Sequence, residues 1–307
     1  MSHPKLGLSL CLTVVLMGAA GTVGATTLSV NCAAKDGLHS IGAALRVLQN
    51  GEGHGPSTIN VSGACHENVV IQSLDRLTLN AVNGASVSDA SGGTLDVILI
   101  QDSRDVSVTG FTINAGSGGT ANGVDCSEYS ICRLSGNIVQ GAGNGGVAVF
   151  AASNATLDGD TLQSNGVGLL VRTGSTVRSG GPITARNNGQ GINLARDATA
   201  AIQANITNNS GVGAVVRFNS TLDLTGSISA NESAGVFISE GSAARLTATI
   251  SGNNGPGVLI QDLSMVTFLS PSTVTGNGGG TDVFCGPQYS ATRGVKDTGA
   301  ITNCMEQ

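Results

Sequence analysis

The sequence predicts an all-β, single-stranded solenoid of about 22-residue coils, entered through one helix. Three observations predict it. First, the glycines Gly123, Gly146, Gly168, Gly191, Gly213, Gly235, Gly257 and Gly279 follow one another at intervals of 22 or 23 residues. Second, apolar positions between them alternate with polar ones in short runs, which is the period of a strand. Third, the chain has 46 Gly, no Trp and 3% aromatics, yet 40% hydrophobic residues, too apolar for disorder and too poor in rings for an ordinary core. A unit this short cannot bury its own apolar face. Stacked on its neighbours it can, with backbone hydrogen bonds between coils about 4.8 Å apart.

The elements follow in chain order. Residues 1–25 carry one Lys, an apolar run from Leu6 to Met17 and small residues ending at Ala25, the pattern of a secretory signal peptide. Residues 26–56 form the expected N-terminal cap. Within it "SIGAALRVLQNG" sets Ile41, Leu45 and Leu48 on one helical face, with Ser40 to cap the start and Gly51 the end. Residues 57–284 are the expected solenoid. Its early part is less regular: "VVIQSLDRLTL" (69–79) and "ILIQDSRDVSV" (98–108) match at an offset of 29. Later coils keep phase in detail. Ser153, Ser175, Ser220, Ser242 and Ser264 each stand seven residues after a glycine, Ala198 filling that slot once, and Ile183, Ile206, Ile228 and Ile250 stand fifteen after. Asn165, Asn188, Asn209, Asn231 and Asn254 precede the glycines, which predicts an asparagine ladder whose members accept a left-handed backbone. Residues 285–307 leave the repeat and form a cap or tail.

Removing residues 1–25 takes one lysine and no acid, so the net charge of −6 becomes −7. That balance argues against nucleic acid or an anionic membrane as partner. With no second apolar span, the mature chain is expected to be secreted or periplasmic. Its six cysteines are then expected in disulfides, paired by their clustering as Cys32–Cys65, Cys126–Cys132 and Cys285–Cys304.

The cap helix, "STINVSGACHENVVI" (57–71) and "LTLNAV" (77–82), followed by the glycine-led coils, resemble right-handed parallel β-helix proteins of the pectin-lyase-like superfamily. The resemblance covers roughly residues 30–285 and implies a right-handed parallel β-helix. It implies no single chemistry, because that superfamily holds lyases, hydrolases, esterases, epimerases, adhesins and phage spikes. Individual motifs are similar to family motifs but incomplete. Gly53-His54-Gly55 is similar to the Gly-His-Gly of polygalacturonase-like hydrolases, yet lies ahead of every coil without a following aspartate pair. Glu67 matches the Glu of the pectin methylesterase "G-x-Y-x-E" phrase, with Cys65 in place of the Tyr, which favours a structural role. "NGGGTDVF" (277–284) is one residue short of a calcium nonapeptide, and a single copy reads as a turn. His39, His54, His66, Met265 and Met305 occupy no repeated position, which speaks against copper handling.

Two constellations remain. Asp102, Arg104, Asp125 and Arg133 gather carboxylates and guanidiniums on early coils. A lyase of this fold would use them to hold Ca²⁺ against a uronate and move its α-proton. Arg172 and Arg217 stand four residues after their glycines and Arg196 five after its own, with Gln261 continuing the edge and Phe150 preceding it. Guanidiniums so spaced could match the carboxylates of an acidic polysaccharide. The leading expectation is noncatalytic recognition or scaffolding of a polysaccharide at or outside the cell surface, with no cofactor. The alternatives are a polysaccharide lyase or glycoside hydrolase acting on an acidic polymer, calcium entering only with the lyase, and an adhesin-like structural protein.

Overall fold

The computed structural model describes residues 25–50, 56–286 and 291–304. The chain winds as a parallel β-solenoid with one α-helix near its start. Ten strands, from Val69–Gln72 to Val283–Cys285, form one sheet in strict sequence order, so each coil contributes one strand and pairs with the coils before and after. The other two arms of the coils form a nineteen-stranded sheet, again wholly parallel. Ten strands in the first sheet mean ten turns, one more than the roughly nine that the glycines suggest. Among the described residues no helix is long and apolar enough to cross a membrane.

Strand register gives the coil lengths directly. Val124↔Val147, Leu169↔Ile192↔Ala214 and Val236↔Val258 hold the steps at 22 or 23 residues. Val69↔Ile98 is a step of 29 and Val258↔Val283 one of 25. The last step is a correction: Gly279 does not open the final strand, because the turn at residues 277–281 carries extra residues and Asp282 takes that slot. A second difference is strand length. Thr199–Thr207, Thr221–Ser229 and Ala243–Ser251 run nine residues each, bridging both outer arms. The first of these has no Gly or Pro to break it, whereas earlier coils turn at Gly136 and Gly159 with positive φ.

Alternation fills the interior with Val, Ile, Leu and Ala at zero or near-zero exposure, including Leu169, Ile192, Ile206, Leu222, Leu224, Ile228 and Ile250. The recurring strand-start glycine has a packing cause. A Cβ on Gly213 would lie 2.6 Å from the Gly235 carbonyl oxygen, so only glycine lets the coils approach.

Two polar ladders hold the corners. Asn165, Asn188, Asn209, Asn231, Asn253 and Asn277 each accept at Oδ1 the backbone N–H of the ladder residue one coil earlier. The member from the fifth repeat is therefore Asn253 rather than Asn254. The left-handed residue is also not the ladder asparagine but the one before it: Ser164, Asn187, Asn208, Ala230 and Gly252 have φ between 54° and 64°. The second ladder follows two successive left-handed residues, such as Phe218 and Asn219. Its serines accept from the preceding coil at Ser103, Ser130, Ser153, Ser175, Ser220, Ser242 and Ser264, Ser103 and Ser130 extending the expected set upstream.

The ends are stapled. Helix α1 (Ile41–Asn50) buries Ile41, Ala44, Leu45 and Leu48. Ser40 Oγ accepts from Ala43 N–H, and the Glu67 carboxylate accepts from Ile41 N–H at 2.7 Å and Gly42 N–H at 2.9 Å. An acid against unsatisfied first-turn N–H groups is favourable on both hydrogen-bond and dipole grounds. Gly51 lies outside the described residues. Thr26–Asn31, within the expected cap, already pairs in parallel with Ser57–Ser62. Disulfides join Cys32–Cys65, Cys126–Cys132 and Cys285–Cys304 with Cα–Cα separations of 5.0, 6.4 and 5.2 Å.

Candidate binding face

The outer face of the ten-stranded sheet departs from ordinary solenoid surface. Register sets Val70, Leu99, Asp125, Ala148, Leu170, Asn193, Val215, Phe237, Leu259 and Phe284 in one outward row. Outward residues of a half-solvated sheet are normally polar. Here only Asp125 and Asn193 are; the middle of the row from Asp125 to Val215 is buried, while Val70, Leu99, Phe237, Leu259 and Phe284 reach the surface. The adjacent row places Arg172, Ala195 and Arg217 side by side, the two arginines one coil to either side of a small residue.

Four buried side-chain atoms lack a hydrogen-bond partner among the described residues: Asp125 Oδ1, Arg172 Nε, Asn193 Oδ1 and Arg217 Nε. All four belong to this face. Both Nε atoms are shut off from water, so the two arginine stems lie along the sheet rather than extending into solvent. Neither arginine pairs with a carboxylate; the ion pairs among the described residues are Arg133–Asp105 and Arg245–Asp223. The Arg217 guanidinium instead stacks on the exposed ring of Phe218, 5.3 Å from its centroid. Burial, then the charges of Arg217 and Arg196, push the Arg172 guanidinium below its ordinary range. Together with Asn144, Gln190 and Asn193 the two arginines line an open groove of about 470 Å³. Asn193 is braced there, its Nδ2 donating to Gln190 Oε1 at 2.7 Å.

Two coils before Arg172, Asp125 is 6% exposed. Its Oδ2 accepts from Asn122 Nδ2 at 3.0 Å, and Asn122 N–H donates to Asp96 Oδ1 at 2.6 Å, so one asparagine ties two carboxyls together. Burial, followed by the Asp96 charge, raises the Asp125 carboxyl to about 7 against hydrogen bonds from Ser127 and Asn122 that lower it.

The four early residues expected to act together are dispersed. Asp125 lies on the outer face of the ten-stranded sheet. Asp102 stands at the corner beyond it, left-handed at φ 46°, and accepts from Ser73 Oγ. Arg104 takes part in a lone bridge with Asp75, and Arg133 is on the nineteen-stranded sheet, exposed and paired with Asp105 at 2.9 Å. They do not form one site, because each turn between strands sends successive side chains to different faces. The arginine edge fares differently. Arg172 and Arg217 share a row, Gln261 lies two coils further on, and Phe150 one coil before Arg172; Arg196 instead occupies the left-handed corner at φ 60°.

The remaining motifs resolve structurally. Glu67 caps the helix. Asp282 accepts from Asn277 N–H and Nδ2, both at 3.0 Å, and so ends the asparagine ladder instead of opening a calcium turn. The cluster of Cys32, Cys65 and Glu67 has its sulfurs in a disulfide. His54 lies outside the described residues. Sequence reasoning missed Asn193 and the apolar row; the alternation that marks inward residues also marks outward ones, so an unbroken apolar triplet such as Leu169-Leu170-Val171 was the available signal.

A family model described as a right-handed β-helix region matches residues 164–294. No curated protein matches the chain by sequence. Among solved structures, the A-module of Azotobacter vinelandii mannuronan C-5 epimerase AlgE4 aligns with TM-score 0.67 at 14% identity, over 86% of this chain and 87% of that one. The AlgE6 A-module of the same organism gives 0.48 at 14%, over 87% and 90%, and a GH136 lacto-N-biosidase from Eubacterium ramulus gives 0.43 at 8%, over 92% and 67%. At such identities the likeness is one of fold. With the coil register and the matched β-helix region, it makes the fold of this chain a right-handed parallel β-helix.

Proposed function

We propose that the chain recognises an acidic polysaccharide lying across the coils on the outer face of the ten-stranded sheet. One observation carries this reading: the four unpartnered buried polar atoms of the described residues all sit on that face. A buried donor or acceptor left unmade costs about 1–3 kcal/mol, so these side chains gain by turning outward to a ligand that supplies the partner. Arg172 and Arg217 offer donors to a carboxylate, while the Asn193 oxygen accepts from a sugar hydroxyl. The apolar row through Phe237, Leu259 and Phe284 extends the track and suits the C–H faces of sugar rings. The AlgE4 module, similar in fold, is by its name an epimerase of mannuronan, a polyuronate. Three disulfides fit an oxidising compartment, and we place the protein in the periplasm or outside the cell, consistent with a cleaved segment at residues 1–25.

The test is binding of the purified chain to alginate and polygalacturonate, with a neutral glucan as control, while chain length is followed. Retention of the acidic polymers and not of the glucan, reduced about 10- to 100-fold by Arg172→Ala or Arg217→Ala, is the expected result. Equal retention of the neutral polymer, or indifference to both substitutions, would overturn the reading. Shortening of the polymer would instead move the chain to the lyase or hydrolase class.

A further inference from the structure

We infer that the binding face takes up its anionic ligand together with a proton, held by the buried Asp125 carboxyl beside Asp96, so that binding tightens on the acid side of neutrality. The inference rests on the reading above and adds its regulation. The geometry begins with placement. Asp125 occupies the same outward row as Leu170 and Asn193, in register through Ala148, and Arg172 lies two coils on. Two coils at about 4.8 Å and two residues at about 3.3 Å separate Asp125 from Arg172 by about 12 Å. No acid stands between them: Gly145–Val149 and the corner Phe150–Ala152 contain no titratable side chain.

The surroundings of Asp125 favour its protonated form. Asn122 gives its N–H to Asp96 and its side-chain amide to Asp125, while its own Oδ1 accepts from Asn144 Nδ2 and Gly145 N–H, both at 3.0 Å. The amide is thus fixed and cannot rotate to serve a second carboxylate oxygen. Asp125 Oδ1 remains buried and unpartnered. Burial, an oxygen left without a partner and a second carboxylate tied to the same asparagine all favour the protonated form of Asp125. The other charged groups around it do not compensate. Asp102 and Glu128 stand at the corner beyond the two strands, and Asp89, in the neighbouring loop, is held ionised by hydrogen bonds from Asn68, Ser91 and Gly93. The nearest cation along the face is Arg172, the group assigned to the ligand.

Linkage then fixes the sign. An anion arriving near Arg172 adds negative potential at Asp125, raises its proton affinity and draws a proton in; reciprocally, the face with Asp125 protonated binds the anion more tightly. Over about 12 Å at an effective dielectric of about 20, one unit charge is worth up to about tenfold in affinity.

The experiment is titration calorimetry of the full purified chain with alginate oligosaccharides from about pH 5.5 to about pH 8.5, in buffers of differing ionisation enthalpy. Expected are tighter binding at acid pH by up to about tenfold and net proton uptake near pH 7. With Asp125→Asn the uptake disappears and the affinity stops changing with pH. Asp96→Asn provides a second arm if that variant misfolds: loss of its charge shifts the transition to lower pH. Binding that depends on Arg172 but shows no proton uptake, or a pH profile unmoved by Asp96→Asn, would overturn this inference and leave the recognition reading standing. Absence of any binding even at about pH 5.5 would remove both.

Discussion

Asp125, Asn193, Arg172 and Arg217 show how single residues break the pattern of a repeating surface. Each stands where neighbouring coils carry an apolar or small side chain, and each retains an unmet hydrogen-bonding atom. The arginines are separable by variants. Arg172→Lys keeps the charge but loses the fork, so it should bind acidic oligosaccharide more weakly than wild type and more strongly than Arg172→Ala, measured by calorimetry. Ala198 offers a test of the serine ladder. It fills the slot that is serine in the coils on either side, and Ser220 Oγ already accepts its N–H at 3.2 Å. Ala198→Ser adds an acceptor facing Ser175 and should stabilise the fold by about 1 kcal/mol in denaturant titration, whereas Ser220→Ala should cost a similar amount.

At the scale of elements, the asparagine ladder ties each coil to the next. Asn209 accepts from Asn188 through Oδ1 and donates through Nδ2 to Asn231 Oδ1 at 2.8 Å and to the Ala185 carbonyl at 3.2 Å, with no exposure to water. Asn209→Ala strips partners from two coils at once. Leaving those groups buried and unmade should cost about 2–4 kcal/mol in urea unfolding, well above the loss for an exposed threonine such as Thr221→Ala. The ladder was legible as a spaced asparagine. That the left-handed strain falls on the preceding residue, and that Asn253 replaces Asn254, was not: adjacent asparagines are chemically alike, and only the hydrogen-bond register separates them.

For the whole molecule, two buried acids make stability depend on pH. Burial raises Asp160 to about 6, against hydrogen bonds from Asn137 and Asp158, and raises Asp125 to about 7. Both pKa values exceed those of the unfolded chain, so folding takes up protons. The stabilisation is full below the ordinary aspartate range and is lost as pH rises through about 6 to about 7. Thermal unfolding should therefore give a higher midpoint near pH 5 than near pH 8, and Asp125→Asn should reduce that difference.

The sequence by itself determined the solenoid, its coil length through the regular middle and the cap helix, and its clustered cysteines suggested the three disulfide pairs. Those features arise from local repetition: a period near 22 and an alternation of two force stacking, and cysteines close within a coil end have few other partners. Tertiary structure alone decided which polar residues share a face. Asp102, Arg104, Asp125 and Arg133 are near in sequence but fall on different faces, while Asp125, Arg172, Asn193 and Arg217, scattered over four coils, align on one. The physical reason is that a solenoid converts sequence distance into height along its axis, so neighbours on its surface are set by coil register and not by proximity along the chain.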